Sequence, residues 1–258
     1  MSDEVLYEER DRVALITLNR PERLNAFNPA TARAFWSCFE RIAARERVRV
    51  VVLTGAGRAF CAGADLKSLG GVDGEGDDDW GSPRGMIDIP IRLRELGRPT
   101  ICAVNGVAAG AGLGIALAAD FRIAGESARF IAAQIRTARV PDAGLTYFLP
   151  RMVGIECALS IALTGRPVTA AEALSLGLVG EVVAGERLMA RALSLAEELA
   201  RGPALAMRLS REAIYKGAES SLEQALEREH AALIEASAHP DVEEGTRAFL
   251  EKREPRFA

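Results

Sequence analysis

Histidine is almost absent from this chain: only His230 and His239 occur, both toward the C-terminus. No Gly-x-Ser-x-Gly turn occurs either, which speaks against a Ser-His hydrolase. Cysteine is scarce. Cys38, Cys61, Cys102 and Cys157 stand far apart, show no zinc-ligand spacing and mostly lie in apolar runs, which predicts reduced thiols in a cytosolic protein. No Lys/Arg block exists and the formal net charge is −4, so the footprint of a nucleic-acid binder is missing. No apolar run reaches the length of a membrane span, and the acidic Asp3-Glu4 start lacks the basic-then-apolar pattern of a signal peptide. A cytoplasmic location is expected, with neither membrane nor nucleic acid as a partner.

Apolar residues, by contrast, make up 49% of 258 positions, enough for one large domain or one domain with an appended helical unit. Residues 5–7 and 13–18 read as short strands joined by a polar turn. Asn28-Pro29 starts a helix to about residue 45, because Asn caps free amides and Pro suits the first helical position. Its inner face is expected to carry Ala34, Phe35, Cys38, Phe39 and Ile42. Further strands are expected at 48–54, 100–104, 121–124, 128–131 and 178–183, with helices at 86–97 and 170–176. Beyond 187 the pattern is helical only, at 188–201, 204–216 and 221–238, the last opened by a Ser221/Gln224 capping box. Strands alternating with helices predict an α/β core.

Two stretches stand out for their small side chains. Arg58-Ala59-Phe60-Cys61-Ala62-Gly63-Ala64-Asp65-Leu66-Lys67 follows one buried-strand run, and Asn105-Gly106-Val107-Ala108-Ala109-Gly110-Ala111-Gly112-Leu113-Gly114 follows another and opens a helical run to Ala119. Small residues around a Gly let a ligand approach the backbone. Asp65, Leu66 and Lys67 read as the first turn of a helix, with the amides of Ala64 and Asp65 pointing out of its positive end. Two such entries suit two backbone N–H groups converging on one oxygen, and equally suit tight turns with no ligand. The second stretch lacks the three-glycine spacing of a dinucleotide fingerprint. Cys61 sits in an apolar turn with no His nearby in sequence, which favours packing over nucleophilic work. The polar, Gly-rich run 70–83 reads as a lid or as a solvated spacer.

The segments Phe60-Cys61-Ala62-Gly63-Ala64-Asp65-Leu66 and Asn105-Gly106-Val107-Ala108-Ala109-Gly110-Ala111-Gly112 resemble the two signature segments of the crotonase, or enoyl-CoA hydratase/isomerase, superfamily. The likeness continues through Asn19-Arg20-Pro21, Leu24-Asn25-Ala26, Leu163-Thr164-Gly165, Ala171-Glu172-Ala173 with Gly177-Leu178-Val179, and Glu244-Gly245 with Ala248-Phe249-Leu250. It covers essentially the whole chain. The resemblance implies a spiral of repeated ββα units over 1–187, carrying a CoA-thioester site, and a C-terminal helical region over 188–258 that packs on neighbouring protomers in a homotrimer or hexamer. It implies no metal and no cofactor, coenzyme A being part of the substrate.

By motif position, the resemblance assigns the oxyanion donors to the backbone N–H groups of Ala64 and Ala111, where the family often carries Gly at the second. It places Ala62, Asp65, Leu66, Gly110 and Gln134 along the substrate, and Arg23, Lys67 and Lys252 as candidates for the CoA phosphates, although each suits a solvated surface charge as well. The two glutamates of the family's hydratases match Gly114 and Gln134 here, so addition of water by two carboxylates is in doubt. Instead Asp142, in Val140-Pro141-Asp142-Ala143-Gly144, resembles the branch of 1,2-epoxyphenylacetyl-CoA and Δ3,Δ2-enoyl-CoA isomerases. On composition alone that segment is an ordinary turn. One carboxylate suffices for a 1,3-proton shift, since the same oxygen can take a proton from one carbon and return it to the other. An Asp at this position is also the nucleophile of a related dehalogenase, but that enzyme's companion Trp and His are absent. Gln134 reads either as a buried amide satisfying backbone groups or as one that orients substrate or water. The expected function is an acyl-CoA enzyme that stabilises a thioester enolate, an isomerase first. A hydratase with an unorthodox base and a catalytically silent CoA-binding protein are the alternatives. With aromatic residues at 5%, the acyl group is not legible.

Overall fold

A computed structural model of the chain describes residues 3–68 and 85–258. The run read as lid or spacer lies outside the described residues. The apolar runs become strands that alternate between two sheets. β1 (Val5–Arg10) and β2 (Val13–Leu18) form an antiparallel hairpin, and α1 (Pro29–Ala43) follows. β3 (Val50–Gly55) joins β2 in parallel, while the short β4 (Ala59–Cys61) leaves for the second sheet. α2 (Ile89–Glu95), β5 (Thr100–Val104) and β6 (Val107–Ala109) repeat the unit, as do α3 (Ala111–Ala118), β7 (Phe121–Gly125) and β8 (Arg129–Ile131). In each repeat the first strand extends the large sheet and the second extends the small one. After α4 (Leu145–Val153), α5 (Ile155–Thr164), β9 (Val168–Thr169), α6 (Ala170–Ser175) and β10 (Glu181–Val183), the sheet orders are β1-β2-β3-β5-β7-β10 and β4-β6-β8-β9. This is the α/β spiral of ββα units.

β3 and β5 are buried along their whole length, which is why they read as unbroken apolar runs. One face of the large sheet sends Ile16, Val51, Leu53, Cys102 and Val104 into the main core. The other presents Val13, Leu15, Val50, Val52, Ile101, Ala103 and Ile123 to α7 (Leu188–Ala200). That helix answers with Leu188, Ala192, Ala196 and Ala200, a single stripe whose alanines allow close approach.

Asn28 caps α1 by accepting from the Thr31 amide at 2.7 Å, with Pro29 in the first turn. Ala32 joins Phe35, Cys38, Phe39 and Ile42 on the buried face, three residues before Phe35, while Ala34 is half-buried at its edge and packs against the same core. The helix expected over 86–97 divides into a 3-10 turn, Gly85–Asp88, and α2. Pro90 has no amide hydrogen and fits only a first turn, so the α-helix starts beside it. The strand expected from 178 shortens to β10, since the amides of Leu178 and Val179 both bond to the Ala173 carbonyl.

Past α7, α8 (Ala204–Gly217) and α9 (Leu222–Ser237) match the expected pattern, and Ser221 with Gln224 forms the capping box. A further helix, α10 (Pro240–Glu251), lies in the expected helical region beyond the last helix whose bounds were read. His239 caps it, its Nδ1 accepting from the Asp241 amide at 3.2 Å. α9 buries no residue fully, and on these outer helices Leu222, Phe249 and Leu250 are 71%, 82% and 74% exposed.

Candidate active site

The first small-residue segment is aimed by two asparagines. Asn25, at φ 56°, donates from Nδ2 to the carbonyls of Ala56 and Ala59 at 2.9 and 2.7 Å, and Asn105 donates to those of Gly57 and Ala59 at 2.9 and 3.1 Å. They fix the start of β4. Beyond it, the Ala62 amide donates to the Leu24 carbonyl at 2.9 Å, the Phe27 amide to the Gly63 carbonyl at 2.8 Å, and the Asp65 amide to the Phe27 carbonyl at 2.7 Å. Phe27 and Ala64 thus form a parallel bridge. Because successive amides of an extended chain point to opposite sides, the Ala64 N–H faces away from Phe27.

The amide of Asp65 is therefore consumed within the fold, and 66–68 form a turn rather than the helix start expected there. The Asp65 carboxylate is engaged too: Oδ1 accepts from the Lys67 amide at 3.3 Å, and Oδ2 lies 3.4 Å from Arg20 Nη2. It ties the segment to the Asn19-Arg20-Pro21 motif.

The second segment enters α3 through Gly110, whose φ 54°, ψ −128° is open in practice only to glycine. Its carbonyl accepts from the amides of Leu113 and Gly114, and Ala111 takes the first helical position, where an N–H has no intrahelical partner. A Cβ on Gly63 would lie 2.9 Å from the Ala109 carbonyl oxygen and 3.4 Å from the Ala111 nitrogen. The two small-residue segments are thus packed backbone to backbone.

Asp142 joins them from the turn before α4, where Ala143 and Gly144 take φ 48° and 80° and the Leu145 amide bonds to the Asp142 carbonyl at 3.0 Å. A Cβ on Gly114 would meet the Ala143 carbonyl oxygen at 2.2 Å, so this turn occupies the space a side chain at 114 would need. Gln134 is buried, and its Nε2 donates to Asp142 Oδ1 at 2.7 Å. A Cβ on Gly110 would lie 3.8 Å from the same nitrogen. Gly63, Gly110, Ala111, Gln134 and Asp142 are therefore neighbours.

Cys61 is buried at this junction, its Sγ accepting from the Gly63 amide at 3.4 Å, and burial pushes its thiol up to about 12. It packs and holds no accessible thiolate. Ala62 is half-buried, and Leu66, Arg23, Lys67 and Lys252 are exposed. None of these three cations enters an ion pair among the described residues, and Lys252 caps the C-terminal end of α10. No cluster of three metal-ligating side chains gathers among the described residues. None of the described helices is long and apolar enough to cross a membrane. The roles of Asn25, Asn105 and Gly114 were not readable beforehand, although all three lie within or beside quoted motifs.

A family model described as enoyl-CoA hydratase/isomerase matches residues 8–258. The 1,2-epoxyphenylacetyl-CoA isomerase of Escherichia coli (strain K12) is 40% identical over 262 residues, covering 100% of this chain and 99% of that protein. The 2,3-dehydroadipyl-CoA hydratase of the same organism is 36% identical, covering 98% of each. Among solved structures, the enoyl-CoA hydratase of Bacillus anthracis superposes with a TM-score of 0.91 at 35% identity, covering 99% of each chain. On its paired backbone segments and on these full-length matches, the chain belongs to the enoyl-CoA hydratase/isomerase family of the crotonase superfamily.

Proposed function

We propose that this enzyme is an enoyl-CoA isomerase that moves a double bond with Asp142 as its single acid–base. The observation that carries the reading is the turn holding Asp142, whose backbone fills the space that a carboxylate at 114 would require. The thioester oxygen accepts from the Ala64 and Ala111 amides. These contribute about 3 kcal/mol each as negative charge develops on that oxygen. Asp142 removes a proton from the α-carbon of a β,γ-enoyl thioester, leaving a dienolate, and returns it to the γ-carbon to give the α,β-enoyl product. Ala62, Asp65, Leu66 and Gly110 form the backbone wall along the substrate, and Arg23, Lys67 and Lys252 meet the CoA phosphates. Coenzyme A enters as part of the substrate, and the enzyme works in the cytoplasm as a homotrimer or hexamer joined through 188–258.

Asp142→Asn tests the reading. It should leave folding and CoA affinity intact while lowering isomerisation by at least about a hundredfold, measured by product mass spectrometry in deuterated water. Retained turnover would end the proposal. Hydration is the second reading, because relatives of both names match along the full chain. A 3-hydroxyacyl-CoA product would select it.

A further inference from the structure

Beside Asp142 lies a side chain that the proton transfer itself does not require. Gln134 is 8% exposed, donates to Asp142 Oδ1, and leaves its own Oε1 buried without a partner among the described residues. The amide is not needed to hold its local fold. The 3-10 turn Ala133–Thr137 is closed by the Gln134 carbonyl, which accepts from Thr137 Oγ1 and from the Arg139 amide, each at 3.0 Å. A buried amide with one end unsatisfied is accounted for by what the other end does. Here the other end makes a short bond to the candidate proton carrier.

We propose that Gln134 is a positioning residue: by holding Asp142 Oδ1, it assigns the moving proton to Oδ2. The inference rests on Asp142 being the proton carrier. An amide N–H donates and cannot accept, so the oxygen it holds is the poorer site for a proton. Oδ2 takes the proton from the α-carbon while the C–H electrons pass into the dienolate. The γ-carbon then takes the proton from Oδ2, and the carboxylate is restored. With Oδ1 held, the carboxyl group neither swings away between the two carbons nor gives its proton to water.

The test uses β,γ-hexenoyl-CoA deuterated at the α-carbon and reads how much label arrives at the γ-carbon. Gln134→Leu should lower kcat by about tenfold to a hundredfold, change KM by less than about threefold, and send more label to solvent. Should that variant fail to fold, Gln134→Glu serves. An ionised Glu cannot donate to Oδ1 and a protonated one can, so its kcat should rise as pH falls to where the Glu–Asp pair holds one proton, and fall again only when Asp142 is protonated as well. A folded Gln134→Leu enzyme with unchanged kcat and label transfer overturns the proposal, as does a Gln134→Glu enzyme that gains nothing on acidification. Asp142→Asn separates the two failures: turnover in that variant removes the underlying reading, whereas an inactive Asn variant beside an unaffected Leu variant removes only the role of Gln134.

Discussion

Gly114 shows how one missing side chain shapes the chemistry. This chain places the Ala143 carbonyl oxygen in the volume that a side chain at 114 would need, so the turn bearing Asp142 lies directly on α3. The obstructing atom is backbone and cannot rotate aside. Gly114→Ala is therefore expected to cost about 1–3 kcal/mol of stability through overpacking. It should also depress turnover by shifting Asp142. Urea unfolding beside steady-state assays checks both, and a variant of unchanged stability and rate would show that the turn is free to move. Gly110 is constrained in a different way, by its backbone angles, and the Ala111 amide depends on that entry.

Between elements, the decisive join is the one that seats α8 on the large sheet. Asp120, between α3 and β7, accepts from the Thr100 amide and Oγ1 at 2.8 Å each, from Arg211 Nε at 2.8 Å, and from the Tyr215 hydroxyl. Burial, then the neighbouring Asp120 carboxylate, pushes the Tyr215 hydroxyl up to about 12, so it remains a donor. Side-chain exposures of 9% for Arg211 and 11% for Asp120 make this a buried pair. Removing one partner leaves an uncompensated buried charge, and Asp120→Ala should destabilise the fold by about 3–5 kcal/mol. The double variant with Arg211→Met should recover much of that loss. A double-mutant cycle measured by chemical unfolding reports the coupling, and strictly additive losses would mean that the pair does not join α8 to the sheet.

At the scale of the whole molecule, the outer helices expose large apolar side chains that the chain does not cover itself, Ile214, Leu222, Phe249 and Leu250 among them. On the proposed assembly, light scattering should return three or six times the 27.6 kDa of one chain. Replacing Phe249 and Leu250 together by Glu should shift that mass toward the monomer without loss of helical signal, because both side chains are exposed in the single chain. A monomeric parent protein would remove the assembly from the account.

The alternation of apolar runs with helical stretches, the Asn28-Pro29 start and the Ser221/Gln224 box were sufficient to anticipate most elements, because strand and helix periods and caps are local properties. The two small-residue segments were visible for a related reason, since glycines mark where backbone conformation is special, whereas Asp142 stood out only through the family resemblance, its own segment being an ordinary turn on composition alone. Local pattern did not show that the Asp65 amide is taken by Phe27, or that the Ala143 carbonyl occupies the space beside Gly114. It also left Gln134 between satisfying backbone groups and orienting substrate or water, and did not foresee the 2.7 Å bond that its amide makes to Asp142. The first two facts join segments far apart in the chain, and the third closes the irregular connection between β8 and α4, where no period or cap fixes the path. Sequence determines which groups are available, but only the packing of one turn on the next determines which of them are already bonded to each other.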